Sequence, residues 1–181
     1  MPGTDTIMSR CFCPAALATG LLAAMLLAGC ASHPAQPGDT AFVLVRHAEK
    51  ADDGSKDPPL SAAGAARAKA LATGLRDAPL RAAYATAYRR TQATAAPSAS
   101  AHSLTVTTYD AKLAASEFAT RLRHDHTDGT VLVVGHSNTV PDIAAALCQC
   151  DVQPMGDDEF DRLITVRIDA RGQAALLVER Y

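Results

Sequence analysis

The chain has 181 residues, room for one domain of ordinary size and not two. Hydrophobic residues make up 48% of it but aromatics only 4%, with no Trp, so the expected core is made of small side chains and closely packed, Ala-rich helices. A net charge of −2 leaves no basic footprint, so no nucleic-acid partner is expected and any attraction of an anion must be local.

The first segment reads as targeting, not fold. Arg10 precedes a nearly unbroken apolar run from Ala15 to Ala28, which ends in Leu27-Ala28-Gly29-Cys30. The run is short for a transmembrane helix and has the layout of a secretory signal. Met8 is an alternative start that would leave a short basic region at Arg10. The ending resembles a bacterial lipoprotein signal. That resemblance implies a signal over residues 1–29, lipidation at Cys30 and a lipid anchor on the periplasmic side of the bacterial envelope. Ala31 stands where an Asp would resemble the inner-membrane retention signal, which favours the outer membrane. A plain secretory signal with an incidental Cys is the alternative. Residues 30–40, rich in Ala, Pro, Gly and Ser, read as a flexible tether, so the domain is expected over 41–181.

Ala41-Phe42-Val43-Leu44-Val45 is apolar without a break, then Arg46-His47-Ala48-Glu49-Lys50 turns charged. Such a run reads as a strand buried on both faces, with Arg46 and His47 at its carboxyl end, where open α/β sheets bind ligands. Residues 51–59 form a loop and one wall of that place. Ser61 is a candidate cap for a helix over 62–76, and a short strand is expected over 81–87. A helix follows over 88–100 with Arg89 and Arg90 in its first turn. Cations there oppose the helix dipole unless a bound phosphate shares the site with the helix amides. A strand is expected over 103–108 and a helix over 111–124. Thr130 to Gly135 repeats the first design, an apolar strand ending in a His, here His136. Two such strands, about 90 residues apart, fit adjacent strands of one sheet joined by helical crossovers. A helix over 140–147 and two antiparallel strands, 162–169 and 173–181, complete the chain. The expected class is a three-layer α/β/α sandwich, mostly parallel, with a C-terminal antiparallel edge hairpin.

Four segments together resemble the histidine phosphatase superfamily, the phosphoglycerate-mutase-like fold. They are Arg46-His47-Ala48, Leu60-Ser61-Ala62-Ala63-Gly64, Thr86 to Ala95 around Arg90, and Gly135-His136, in the family's order. The resemblance implies that His47 is a nucleophile that becomes phosphohistidine. It implies that Arg46, Arg90 and His136 bind the phosphoryl oxygens, with Arg89 facing outward. No metal or other cofactor is expected. For the proton of the leaving group, Asp110 is the first candidate, Glu49 the second and Asp142 the third. A plain helix cap is as good a reading of Asp110.

Cys148 and Cys150 fall two residues apart, a tight geometry for a disulfide, and read as structural or opportunistic. His102, His124 and His126 read as solvated surface residues, and Tyr88 as a core residue, with lining of the pocket beside the Arg pair as the alternative. The leading expectation is an exported phosphomonoester hydrolase acting on a small phosphorylated substrate. The alternatives are a phosphohistidine or acyl-phosphate phosphatase, and a lipoprotein that keeps the fold only to bind. The substrate and the oligomeric state are not legible.

Overall fold

The computed structural model describes residues 38–181. The expected signal, its cleavage at Cys30 and nearly all of the expected tether lie outside those residues. The elements in order are β1 (Thr40–Arg46), α1 (Ala62–Gly74), β2 (Leu80–Thr86), α2 (Arg89–Ala101), β3 (Val106–Tyr109), α3 (Ala115–Asp125), β4 (Gly129–Gly135), α4 (Val140–Cys148), β5 (Arg162–Ile168) and β6 (Ala174–Arg180).

The six strands form one sheet in the order β3-β2-β4-β1-β5-β6. β1, β4, β2 and β3 run parallel, while β5 pairs antiparallel with β1 and β6 antiparallel with β5. The parallel part with its C-terminal antiparallel hairpin is the expected architecture. Strand side chains alternate between faces, and the sequence uses both. Phe42 and Leu44 of β1, with Val131 and Val133 of β4, face α3 and α4 through Phe118, Leu122, Ile143 and Leu147. Val43, Val45, Leu132 and Val134 face the other way, onto Leu71 and Leu75 of the α1 segment and Ala95 and Ala99 of α2. Every residue of β1 is buried. A strand covered on both faces has no polar side to present, which is why its sequence runs apolar without alternation.

One helix start and one helix end correct the sequence expectation. The segment after β3 does not become helical at Ala111. Asp110 Oδ1 accepts from Lys112 N–H at 2.9 Å and its carbonyl from Leu113 N–H at 3.0 Å, so the chain makes a turn and α3 starts at Ala115. α1 starts where expected because Ser61 caps it, its hydroxyl accepting from Gly64 N–H at 3.1 Å. It ends two residues early, at Gly74. β1 begins at Thr40, one residue inside the expected tether.

Cys148 and Cys150 form a disulfide at the end of α4, with Cα atoms 5.2 Å apart. Gln149 between them adopts the left-handed conformation, φ 54°, which lets the chain reverse within two residues. The bond sits at the head of residues 151–161, which return to the carboxyl ends of the strands. Among the described residues no helix is long and apolar enough to cross a membrane.

Candidate active site

β1 and β4 are adjacent, and their register pairs Arg46 with Gly135. The residues that follow, His47 and His136, therefore leave the sheet side by side. Their rings meet edge to face with centroids 5.4 Å apart. His47 is almost fully buried. Its N–H donates to Gly135 O at 2.9 Å, and Ala48 N–H donates to Thr94 Oγ1 at 3.0 Å, so both neighbouring strand and α2 hold this short stretch. Nδ1 of His47 lies 2.8 Å from Ala48 O. A carbonyl only accepts, so Nδ1 carries the proton and Nε2 keeps its lone pair. Burial first, then the charges of Arg90 and Arg46 and the neighbouring His136, push its pKa down to about 4. At neutral pH the ring is an uncharged base with a fixed tautomer.

His136 is fixed through two hydroxyls. Thr91 Oγ1 lies 2.9 Å from Thr86 O and 2.8 Å from Tyr88 O, so its single proton points at a carbonyl. Its 2.8 Å contact with Thr86 Oγ1 then requires Thr86 to be the donor. Thr86 in turn accepts from Nε2–H of His136 at 3.0 Å. Burial, then Arg90 and Arg46, lower the pKa of His136 to about 4 as well.

Two guanidinium groups complete the set. Arg46 is buried. Its Nη1 donates to the carbonyls of Gly156 at 2.9 Å and Asp157 at 2.7 Å, and its guanidinium stands 4.2 Å over the ring of Phe160. Residues 156–160 thus wrap this side chain, and Phe160 lies 6.1 Å from His47, ring to ring. Arg90 stacks 4.4 Å over Tyr88, which is itself edge to face with His136 at 5.1 Å. The buried Nε of Arg46 and the buried Nε and Nη1 of Arg90 have no hydrogen-bond partner. Buried donors without acceptors are costly unless a ligand supplies them. An oxyanion in contact with both Arg residues would do so. Arg89 is exposed, as expected.

The three carboxylates expected as proton donors are not brought to the pair. Asp110 follows the last residue of β3, three strand positions from β1, roughly 14 Å along the sheet. It is exposed and spent on its turn. Glu49 is held by Arg67, with contacts of 2.7 and 3.0 Å to its two oxygens, and this keeps its pKa below the usual carboxylate range. Asp142 is exposed in the first turn of α4, in a hollow with Ala111, Leu113 and Asn138.

Tyr88, expected in the core, is 40% exposed and lines the site instead. Its place two residues before Arg90 was the only sign of this. His126 and His102 are not solvated as expected. His126 Nε2 meets Tyr84 Oη at 2.9 Å and His102 Nε2 meets Leu75 O at 3.0 Å, while His124 is exposed. Asp57, Phe160 and the carbonyls of 156–157 had no signal in the sequence. A cavity of about 380 Å³ at the opposite ends of the strands, lined by Thr40, Phe42, Arg123 and His126, shares none of the site residues. Among the described residues no group of three or more His, Cys, Asp or Glu could hold a metal ion.

Residues 42–114 match the histidine phosphatase superfamily, branch 1. That stretch contains Arg46, His47 and Arg90, and His136 lies beyond it. No curated protein matches the chain. Among solved structures, the protein histidine phosphatase SixA complexed with tungstate is 18% identical, with a TM-score of 0.62 over 77% of this chain and 96% of that one. A putative phosphohistidine phosphatase SixA from Nakamurella multipartitia is 24% identical, with a TM-score of 0.59 over 79% and 96%. A putative α-ribazole-5′-P phosphatase from Escherichia coli is 18% identical, with a TM-score of 0.61 over 78% and 96%. At these identities the likeness is one of fold. The family match and that fold together make this chain an enzyme of the phosphatase class. They support the histidine phosphatase superfamily as its family.

Proposed function

We propose that the chain hydrolyses phosphomonoesters through a phosphohistidine on His47. The observation that carries this is a buried, neutral imidazole with Nδ1–H fixed on Ala48 O, beside two Arg residues whose buried donors lack acceptors. Phosphoryl transfer asks the protein mainly for an in-line nucleophile and positive charge on the equatorial oxygens. Nε2 attacks phosphorus and the bond from phosphorus to the ester oxygen breaks. The leaving oxygen takes its proton from solvent. Water then attacks the phosphohistidine, the phosphorus–nitrogen bond breaks, and inorganic phosphate leaves. Arg46 and Arg90 hold the oxygens as the charge shifts, and His136 supports the transition state. No step draws on a metal.

One observation favours a narrower reading. Glu49 is paired, Asp110 is three strands away, and Asp57 is engaged with Arg89 and Arg90, so none of these three carboxylates is free beside His47 to protonate a leaving group. Substrates with good leaving groups, phosphohistidine and acyl phosphates among them, then outrun alkyl esters. The N-terminal segment supports action in the bacterial envelope, on the periplasmic side, through a lipid on Cys30. Hydrolysis of an aryl phosphate in the presence of EDTA, beside a His47→Ala variant, tests the proposal. EDTA-resistant activity lost in the variant is the expected result. A protein that binds inorganic phosphate but turns over no aryl phosphate, acyl phosphate or phosphohistidine would be a binding lipoprotein of the same fold.

A further inference from the structure

The loop between Ala51 and Pro59 carries a carboxylate into the cationic site. Its base is clamped, with Ala51 N–H donating to Pro59 O at 2.8 Å and Ser61 N–H to Glu49 O at 2.9 Å. Between these anchors Asp57 reaches across to α2. Arg89 N–H donates to its Oδ1 at 3.1 Å and its Oδ2 at 3.3 Å. Oδ1 also lies 3.5 Å from Arg90 Nη1. Tyr88 precedes the first turn of α2 and makes no side-chain capping bond, so Asp57 supplies the cap from outside the helix. Two Arg residues at a helix start point, in the sequence, to a bound phosphate. The structure puts a carboxylate there.

The contact with Arg90 is one of charge. Arg90 Nε and Nη1 are buried and have no hydrogen-bond partner, so their donors stay open to another acceptor. The carboxylate nevertheless weakens the field they present. A phosphoryl group that takes up those donors comes close to a second negative charge, and like charges a few ångströms apart repel strongly in a partly buried site.

We propose that Asp57 is an internal anion competing with the phosphoryl group for Arg90 and the start of α2. It sets how tightly the site holds phosphate, and thereby how readily the product leaves. This rests on the reading of the site as a phosphate site. Two Arg residues beside a helix N-terminus would otherwise hold inorganic phosphate tightly and be blocked by their own product. Because the Asp57 side chain is 41% exposed, its carboxylate can turn to solvent and yield to the incoming group while the loop stays clamped at its base.

A capping role alone is separable from this one. Asp57→Asn keeps an oxygen that accepts from Arg89 N–H and removes the charge, whereas Asp57→Ala removes both. Calorimetry with inorganic phosphate on the full chain is the test, with thermal melting of each variant beside it. Asp57→Asn is expected to bind phosphate about tenfold more tightly or better, with product inhibition strengthened by the same factor and a Tm close to wild type. Asp57→Ala is expected to show the same gain with a lower Tm. Unchanged or weaker phosphate binding in Asp57→Asn, at wild-type Tm, overturns the inference. Arg90→Ala is the separate control on the site itself. If wild type binds and Arg90→Ala does not, the phosphate site stands whatever Asp57 does. If neither wild type nor Asp57→Asn binds, both readings fail together.

Discussion

His47 and His136 stand edge to face, 5.4 Å apart, because Arg46 and Gly135 are partners in the register of adjacent parallel strands. Sheet pairing sets that distance, and the loops do not. Two imidazoles that close, with Arg46 and Arg90 beside them and little water around them, cannot both be charged at low cost.

The first prediction concerns pH. Both rings titrate near pH 4 in the folded chain, against an ordinary value of 6.5, with burial the largest cause in each. A lowered pKa in a base means that the unfolded chain binds more protons between those values. Stability is therefore complete above about pH 6.5 and falls as pH drops from there towards 4, by a few kcal/mol for the pair. Denaturant midpoints at pH 7.5 and pH 4.5 measure the loss, and in a His47→Gln, His136→Gln double variant it should shrink. The acid limb of kcat/KM should lie nearer pH 4 than 6.5, since Nε2 of His47 must be free. A limb at pH 6.5 would mean that His47 is not desolvated as described.

Arg90→Lys keeps the charge and loses the planar fork. Tyr88 stacks on that plane, and Nε and Nη1 are the donors awaiting an oxyanion. A fall in kcat/KM of about 10²-fold is expected, with stability hardly changed. Retained activity in the variant would show that charge alone suffices.

Thr86 acts through His136. It is fully buried and accepts from Nε2–H of that ring while donating to Thr91. Thr86→Val removes the acceptor and frees the tautomer, and kcat should fall about tenfold with KM little moved. Phosphate binding in wild type should also be accompanied by proton uptake. With Nε2–H committed to Thr86, Nδ1 becomes a donor to phosphate only when His136 is protonated, and a bound dianion raises its pKa. Calorimetry in buffers of different ionisation enthalpy reads this directly, and zero uptake would count against the assigned tautomer.

Gly64 explains a motif whose purpose the sequence does not reveal. A Cβ there would lie 2.1 Å from Glu49 O, so only glycine lets α1 press against the residues that follow His47. Gly64→Ala should cost about 2–3 kcal/mol and lower kcat/KM as well, since the forced shift passes directly to the His47 loop. Chemical denaturation and aryl phosphate kinetics on one preparation check both.

The elements that could be read in advance were those with periodic or unbroken apolar patterns. β1 and β4 announced themselves because both faces are buried, and their adjacency placed His47 and His136 together. Arg90 stood out as a cation at a helix start. The loop over residues 51–59 was legible as one wall of the site, but not which side chain it sends in, and the wall over residues 156–160 was not legible. Asp57 and Phe160 sit in segments without periodicity, and their roles come from tertiary contacts that no local pattern encodes. Asp110 misled for the same reason: it follows the last residue of a strand at the same edge of the sheet, and only the strand order shows that β3 is three places away from β1. Tyr88 misled because an aromatic in an Ala-rich chain suggests core, whereas here it serves as a platform for Arg90.

The central claim is a covalent phosphohistidine on His47, formed at Nε2 because Nδ1–H is held by Ala48 O. Rapid quenching of the protein with a phosphorylated aryl substrate, followed by mapping of the base-stable, acid-labile adduct, tests it most directly. We predict phosphate on Nε2 of His47, accumulating in His136→Ala if water attack is slowed and absent from His47→Ala. Turnover that continues in His47→Ala, or an adduct on any other residue, would contradict it.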